Sequence, residues 1–328
     1  MGGPETDPPV FPSEDYVAPG LARVRPDACF PDMVSGDRSR SDWPYLRREI
    51  PHTWYVDRRQ PGIGFVSRDE AHILYNTARR FAGAPALEIG CWLGWSACHL
   101  ALGGVALDVI DPLLGDPDVH ASVRASLRCA GVLERTSLIP GVSPSRVFEL
   151  DGLFRRGWNL FFIDGNHDAP APLADAKAVA AVAPTDALVL LHDLVCPDVA
   201  QGLEWFRAQG WQTMLYQTMQ VMGVAWRGAA RPVAHVPDPP GCLEVARAPS
   251  ILARVRRLGA GRHRIRENRL ERGPGPLLVK QREDAASAPI TRCRRSALSI
   301  IIRRDQASIS TSPTGWISAL WPCFQTPS

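Results

Sequence analysis

Lysine is almost absent from this 328-residue chain: only Lys177 and Lys280 occur, and arginine fills every other basic position. With its many alanines, glycines and prolines the chain has the composition of a GC-rich coding sequence, so a single arginine carries little functional information. Short-spaced cysteines are missing too. Cys29, Cys91, Cys98, Cys129, Cys196, Cys242, Cys293 and Cys323 include no CxxC pair and no framework spacing. Scattered thiols of this kind predict a reducing compartment rather than a disulfide scaffold. No stretch approaches the ~18 apolar residues of a membrane span. Residues Met1 to Glu14 are acidic and proline-rich without an apolar segment, so no secretory leader is expected. The cytoplasm is the expected location, with no membrane partner.

Proline, by contrast, is abundant at 30 residues and clusters outside the middle of the chain. An apolar fraction of 45% is enough for a sizeable core. The net charge of +3 hides an asymmetry: sixteen basic residues face four acidic ones between Arg247 and Arg304. The rest of the chain is therefore net negative by about nine charges, and the positive charge is confined to a tail. These shifts divide the chain into an irregular arm over residues 1–64 able to fold over the core as a lid, a folded middle over 65–228, and a Pro/Gly/Arg-rich tail over 229–328 expected to be largely disordered.

The middle alternates short apolar runs with helical segments. A helix from Ser67 to Phe81 opens on a capping signal, Ser67 followed three residues later by Glu70. Strands are expected at Ala86–Gly90, Val105–Ile110, Thr136–Pro140, Leu160–Ile163 and Ala187–Leu191. The helices between and after them are expected at Ser96–Leu102, Val119–Ala130, from Pro144, Leu173–Val182 and Val199–Gln209. Such alternation predicts an α/β fold, a mainly parallel sheet covered on both faces. Trp211–Tyr216 and Val221–Trp226 leave no room for a crossover, so they close the sheet as an antiparallel hairpin.

Chemistry concentrates at the carboxyl ends of these strands, where open α/β sheets bind ligands. Leu87-Glu88-Ile89-Gly90-Cys91-Trp92-Leu93-Gly94-Trp95-Ser96 runs from a strand through two glycines into a helix, a turn that brings backbone amides close to a ligand. A structural strand–helix turn would look the same. Asp111 ends the next strand, where an acid can accept both hydroxyls of a ribose or simply cap a turn. Asp164 and Asp193 end two further strands, each within a histidine-bearing motif, Ile163-Asp164-Gly165-Asn166-His167 and Leu191-His192-Asp193.

On these motifs the sequence resembles class I S-adenosylmethionine-dependent methyltransferases, most closely the small-molecule O-methyltransferase branch that includes the catechol and macrocin enzymes. The likeness covers about residues 65–227. It implies a Rossmann-like seven-stranded sheet of order 3-2-1-4-5-7-6. The methionine moiety of the cofactor would lie near Gly90, with Glu88, Trp92, Gly94 and Ser96 around it, Asp111 on the ribose and Ser143 near the adenine. Where many relatives carry an acid beside the adenine, this chain has Val142-Ser143. Metal-dependent members hold a divalent ion at the tips that carry Asp164 and Asp193. Carboxylate oxygens suit Mg²⁺ or Ca²⁺, and His192 is either a further ligand or a packed partner of Asp193. Asp164 is thus both a cofactor-site and a catalytic candidate. Relatives often have an acid where this chain has Asn166, so the general-base role passes to His167. His72, His99 and His120 lie on helices and are read as structural or surface residues.

The expected activity is methylation of a small-molecule or sugar hydroxyl, metal-assisted. Nucleic acid is not expected as a partner, and a homo-oligomer is compatible with the sequence. Two other readings stand beside this one: a nucleoside- or tRNA-directed methyltransferase using the arginine-rich tail, and a non-catalytic protein that keeps the fold and the cofactor. A nicotinamide-binding domain fits less well, because of the closing hairpin and because Trp92 stands where a middle glycine would be.

Overall fold

Alternating apolar residues along each central strand feed two separate cores. In β7 (Leu160–Ile163), Leu160 and Phe162 join the cluster on one face while Phe161 and Ile163 join the other. In β8 (Ala187–Leu191), Leu188 and Leu190 face the first cluster and Ala187, Val189 and Leu191 the second. A strand buried on both faces in this way requires helices on both sides of its sheet.

The computed structural model describes residues 16–37 and 53–234. The main sheet adds β4 (Pro85–Ile89), β5 (Ala106–Asp111), β6 (Thr136–Pro140), β9 (Gln212–Tyr216) and β10 (Met222–Arg227). Its order is β6-β5-β4-β7-β8-β10-β9, the expected topology. The first five strands in that order pair in parallel, and β10 pairs antiparallel with both β8 and β9. Helices α1 (Arg68–Arg80), α2 (Trp95–Leu102) and α3 (Pro117–Cys129) contribute to the first core. Helices α4 (Ser145–Phe154), α5 (Ala171–Val182) and α6 (Pro197–Ala208) contribute to the second. Among the described residues no helix is long and apolar enough to cross a membrane.

Three expectations need correction. The arm is not irregular throughout, because β1 (Met33–Ser35), β2 (Tyr55–Asp57) and β3 (Gln60–Gly64) form a small antiparallel sheet. Strands of three to five residues are too short to print an alternation into the sequence. Upstream of them the arm is stitched to α1: Ala18 N–H donates to Asp69 at 2.7 Å, Ala22 exchanges two hydrogen bonds with Asn76, and Val24 N–H donates to His72.

The cysteines do include a pair. Cys29 and Cys129 are bridged with their Cα atoms 5.4 Å apart, 100 residues apart in sequence, a contact that only tertiary structure creates.

The folded unit also runs past residue 228. Ala230 and Val233 are buried, and the Tyr216 hydroxyl donates to the Val233 carbonyl at 3.0 Å. The rest of the tail expected to be disordered, 235–328, lies outside the described residues.

Candidate methyl-transfer site

The β4–α2 turn takes its shape from three residues in left-handed backbone, Gly90 (φ 83°), Trp92 (φ 48°) and Gly94 (φ 87°). Only Gly90 could stand at its position, since a Cβ there would lie 2.2 Å from the Asp164 carbonyl oxygen. The turn is pinned by Asp111, whose Oδ2 accepts the amides of Cys91 (2.8 Å) and Trp92 (3.1 Å) while Oδ1 accepts Leu113 N–H (2.8 Å). A carboxylate offers about four acceptor positions, so Asp111 retains room for one further hydroxyl rather than two. Gly94 caps α2 without any side-chain acceptor, leaving the first amides of that helix free for a ligand.

Glu88 is fully buried and neither of its oxygens has a hydrogen-bond partner. Burial pushes its pKa well up, reinforced by Asp164 and Asp111 and opposed only by the Ser96 hydroxyl, which is near but outside hydrogen-bond geometry. A buried acid without a donor is costly unless a donor-bearing ligand completes it. S-adenosylmethionine has the matching groups: an ammonium for Glu88, a carboxylate for the α2 amides and a ribose hydroxyl for Asp111. The residues present fit that cofactor. Ser143 is half-buried and bonded to Asp175 on α5.

Beside the turn the tips of β7 and β8 bring acids and imidazoles together. Ligand atoms of Asp164, His167 and Asp193 all lie within 4.8 Å of one another. His167 Nε2 is 3.5 Å from Asp164 and 3.4 Å from Asp193. Asp193 is held in left-handed backbone (φ 55°), and its Oδ1 is buried without a partner. Two carboxylates and one imidazole are a donor set for Mg²⁺ or Mn²⁺, so these residues also fit a divalent ion.

His192 is outside that trio and packs against Asp164 and Asp193. It is 2% exposed and faces acids on both sides. Nδ1 lies 3.2 Å from Asp164 and 3.3 Å from Asp193, and Nε2 lies 3.4 Å from Glu70, an ion contact outside hydrogen-bond geometry. Burial opposes its charge, but the three acids hold its pKa well above the imidazole range.

His167 also stands among acids. Burial opposes its charge, yet bonds to Asp164 and Cys196 and the nearby Asp193 raise its pKa to about 10. With no ion bound, these carboxylates favour its protonated form. Asp164 is itself drawn down to about 2, burial being outweighed by the two histidines.

Glu70 is the site residue that sequence reasoning missed. It forms the expected capping box, its Oε2 accepting Ser67 N–H at 2.8 Å and Ser67 Oγ–H at 2.6 Å. It is also fully buried, and its Oε1 accepts Gln220 N–H at 2.8 Å. Its pKa falls to about 2, burial being overcome by His192, Ser67 and Thr218. A cap motif reads as surface chemistry, so only the fold reveals this second role. His72 and His99 are structural as expected, both buried against the arm and Trp95.

Residues 87–194 match the family model of a methyltransferase domain. No curated protein matches the chain. Among solved structures, the domain is similar to an O-methyltransferase from Bacillus cereus in complex with S-adenosylhomocysteine, at 14% identity and TM-score 0.43, over 50% of this chain and 83% of that one. It is similar also to the O-methyltransferase TomG from Streptomyces achromogenes, involved in tomaymycin synthesis, at 20% identity and TM-score 0.42, over 50% and 82%. A putative O-methyltransferase from Klebsiella pneumoniae gives 20% identity and TM-score 0.43 over 50% and 82%. The glycine turn, Asp111, Asp164 and Asp193 all fall inside the matched segment of the methyltransferase domain, whereas Glu70 lies outside it.

Proposed function

We propose that this methyltransferase acts on a hydroxyl of a small molecule, with a sugar hydroxyl as the leading acceptor class, and that Asp164, His167 and Asp193 hold a divalent cation beside the cofactor. The observation that carries the reading is the convergence of those three ligand atoms within 4.8 Å on strand tips next to the glycine turn. The contact between Gly90 and the Asp164 carbonyl makes the two sites neighbours. In this reading Glu88 takes the cofactor ammonium and Gly90, Gly94 and the α2 amides its carboxylate. Trp92 and Ser96 line the turn, Asp111 takes one ribose hydroxyl, and Ser143 lies by the adenine.

The sulfonium already makes the methyl group electrophilic, so the protein's contribution is position and deprotonation. When bound, the cation lowers the pKa of a coordinated hydroxyl. The carboxylates of Asp164 and Asp193 orient that hydroxyl and are the nearest proton acceptors. His167 and His192 balance their charge when no ion is present. The cytoplasm is the proposed location for this activity.

The test is methyl transfer from labelled S-adenosylmethionine to a panel of catechols and glycosides, with and without Mg²⁺ or Mn²⁺. Asp164→Asn and Asp193→Asn are expected to lower turnover by ~10²-fold or more while leaving S-adenosylhomocysteine affinity largely unchanged. Asparagine tolerates left-handed backbone, so Asp193→Asn removes charge without disturbing the turn. Full activity in excess EDTA would take the cation out of the mechanism.

A further inference from the structure

The Cys29–Cys129 bridge lies away from the acid cluster, and the chemistry above makes no use of it. Cys129 ends α3 and is exposed, and Cys29 ends a short 3₁₀ turn of the arm and is half-buried. Solvent thiols therefore reach the bond, and exposed disulfides are the ones that exchange. The Cα separation of 5.4 Å suits a bridge that closes without moving the backbone.

Each end of the bridge belongs to an element that touches the cofactor turn. Phe30, next to Cys29, packs edge-on against Trp95 with ring centroids 5.0 Å apart. On the other side, α3 presses Val123 against Gly94, where an added Cβ would stand 2.9 Å from the valine Cγ1. Gly94 and Trp95 are the cap and the first residue of α2. The same two elements enclose a cleft of about 280 Å³ whose walls include Cys29, Cys129, Phe30, Phe65 and Leu93. Leu93 belongs to the cofactor turn itself. The bridge thus ties together two elements that both touch the turn.

We propose that Cys29 and Cys129 form a reversible thiol–disulfide exchange site whose closed state tightens the cofactor turn. The oxidant is a low-molecular-weight disulfide. One cysteine thiolate attacks it, forms a mixed disulfide and expels one small thiolate. The second cysteine thiolate attacks the protein sulfur of that mixed disulfide and expels the other. Two protein thiols are oxidised, one external disulfide is reduced to two thiols, and the cysteine protons end on the released thiolates. Opening is the reverse, driven by two equivalents of small thiol.

The experiment uses the full chain, oxidised with glutathione disulfide or reduced with dithiothreitol, and measures S-adenosylhomocysteine affinity by calorimetry and amide hydrogen exchange by mass spectrometry. The reduced form is expected to bind roughly fivefold or more weakly, the scale of a modest coupling between sites. Exchange should quicken both at residues 28–35 and at 92–97. The Cys29→Ser/Cys129→Ser double variant should match the reduced form and ignore redox state. Equal affinity and equal exchange in the two states would overturn the proposal. So would alkylation of both cysteines after oxidation. If neither state bound S-adenosylhomocysteine, the methyltransferase assignment would fail, and hydrogen exchange alone would decide the role of the bridge.

Discussion

Asp175 lies on α5, 1% exposed, with Ser143 as its hydrogen-bond partner and its Oδ1 without one. Burial pushes its pKa up from 3.8 to about 6, against the pull of the Ser143 hydroxyl. The folded protein therefore holds this proton where the unfolded chain has released it, between about pH 4 and pH 6. Stability falls as pH rises through that window, and the penalty is complete above it. Asp175→Asn removes the charge and keeps the shape. The variant is expected to be more stable than wild type by roughly 1–3 kcal/mol at about pH 7.5, a gain that shrinks to nothing near pH 4. Thermal melts of both proteins across that range check the sign, and an asparagine variant melting lower at pH 7.5 would refute it. Glu88 has the same physics with the opposite purpose. Its carboxylate is also buried, on the strand that leads into the glycine turn. One buried acid weakens the fold, and the other is proposed to take the cofactor ammonium.

Helix α1 shows how an element can serve both stability and the site. Its capping box closes through Glu70, and the same side chain reaches the β9–β10 loop through Gln220 and faces His192 at the tip of β8. Glu70→Ala should therefore cost about 3–5 kcal/mol, the scale of removing one partner from a buried ion pair. Glu70→Gln keeps a capping side chain and should retain more than half of that stability. Denaturant melts of the two variants test this, and equal losses would mean that the cap alone matters. None of this was legible in the sequence, where Ser67 and Glu70 read simply as the start of a helix. Strands β4, β5, β7 and β8 were legible because buried parallel strands are largely apolar runs, and the closing hairpin because two apolar runs stood too close for a crossover. The glycine turn and the acids at the strand tips followed from their place at the carboxyl ends of strands. The small sheet β1–β3 and the Cys29–Cys129 bridge left no periodic trace, since one is too short and the other spans 100 residues. The surroundings of His192 and His167 were not legible, because only the fold shows how many carboxylates stand around a histidine.

At the scale of the whole chain, the question is where the folded unit ends. The change to Pro, Gly and Arg begins at Ala229, and on composition alone the domain would stop there. The packing continues. Ala230 and Val233 are buried in the first core, Tyr216 donates its hydroxyl to Val233, and Arg80 on α1 holds the carbonyls of Arg231 and Pro232. Burial also pushes the Tyr216 hydroxyl above its usual range, so its proton stays in place to make that bond. A chain ending at residue 247 retains every one of these contacts and should melt within about 1 kcal/mol of the full chain, with unchanged S-adenosylhomocysteine affinity. A chain ending at residue 228 loses two buried side chains and leaves the Tyr216 hydroxyl without its acceptor, a loss of roughly 3–5 kcal/mol. Expressing the two truncations and comparing their melts with the full chain separates these outcomes. Equal stability of all three would mean that the strap from Ala230 to Val233 contributes nothing to the fold. A collapse of the longer truncation would mean that residues beyond 247 stabilise the domain, and the boundary inferred from these contacts would be wrong.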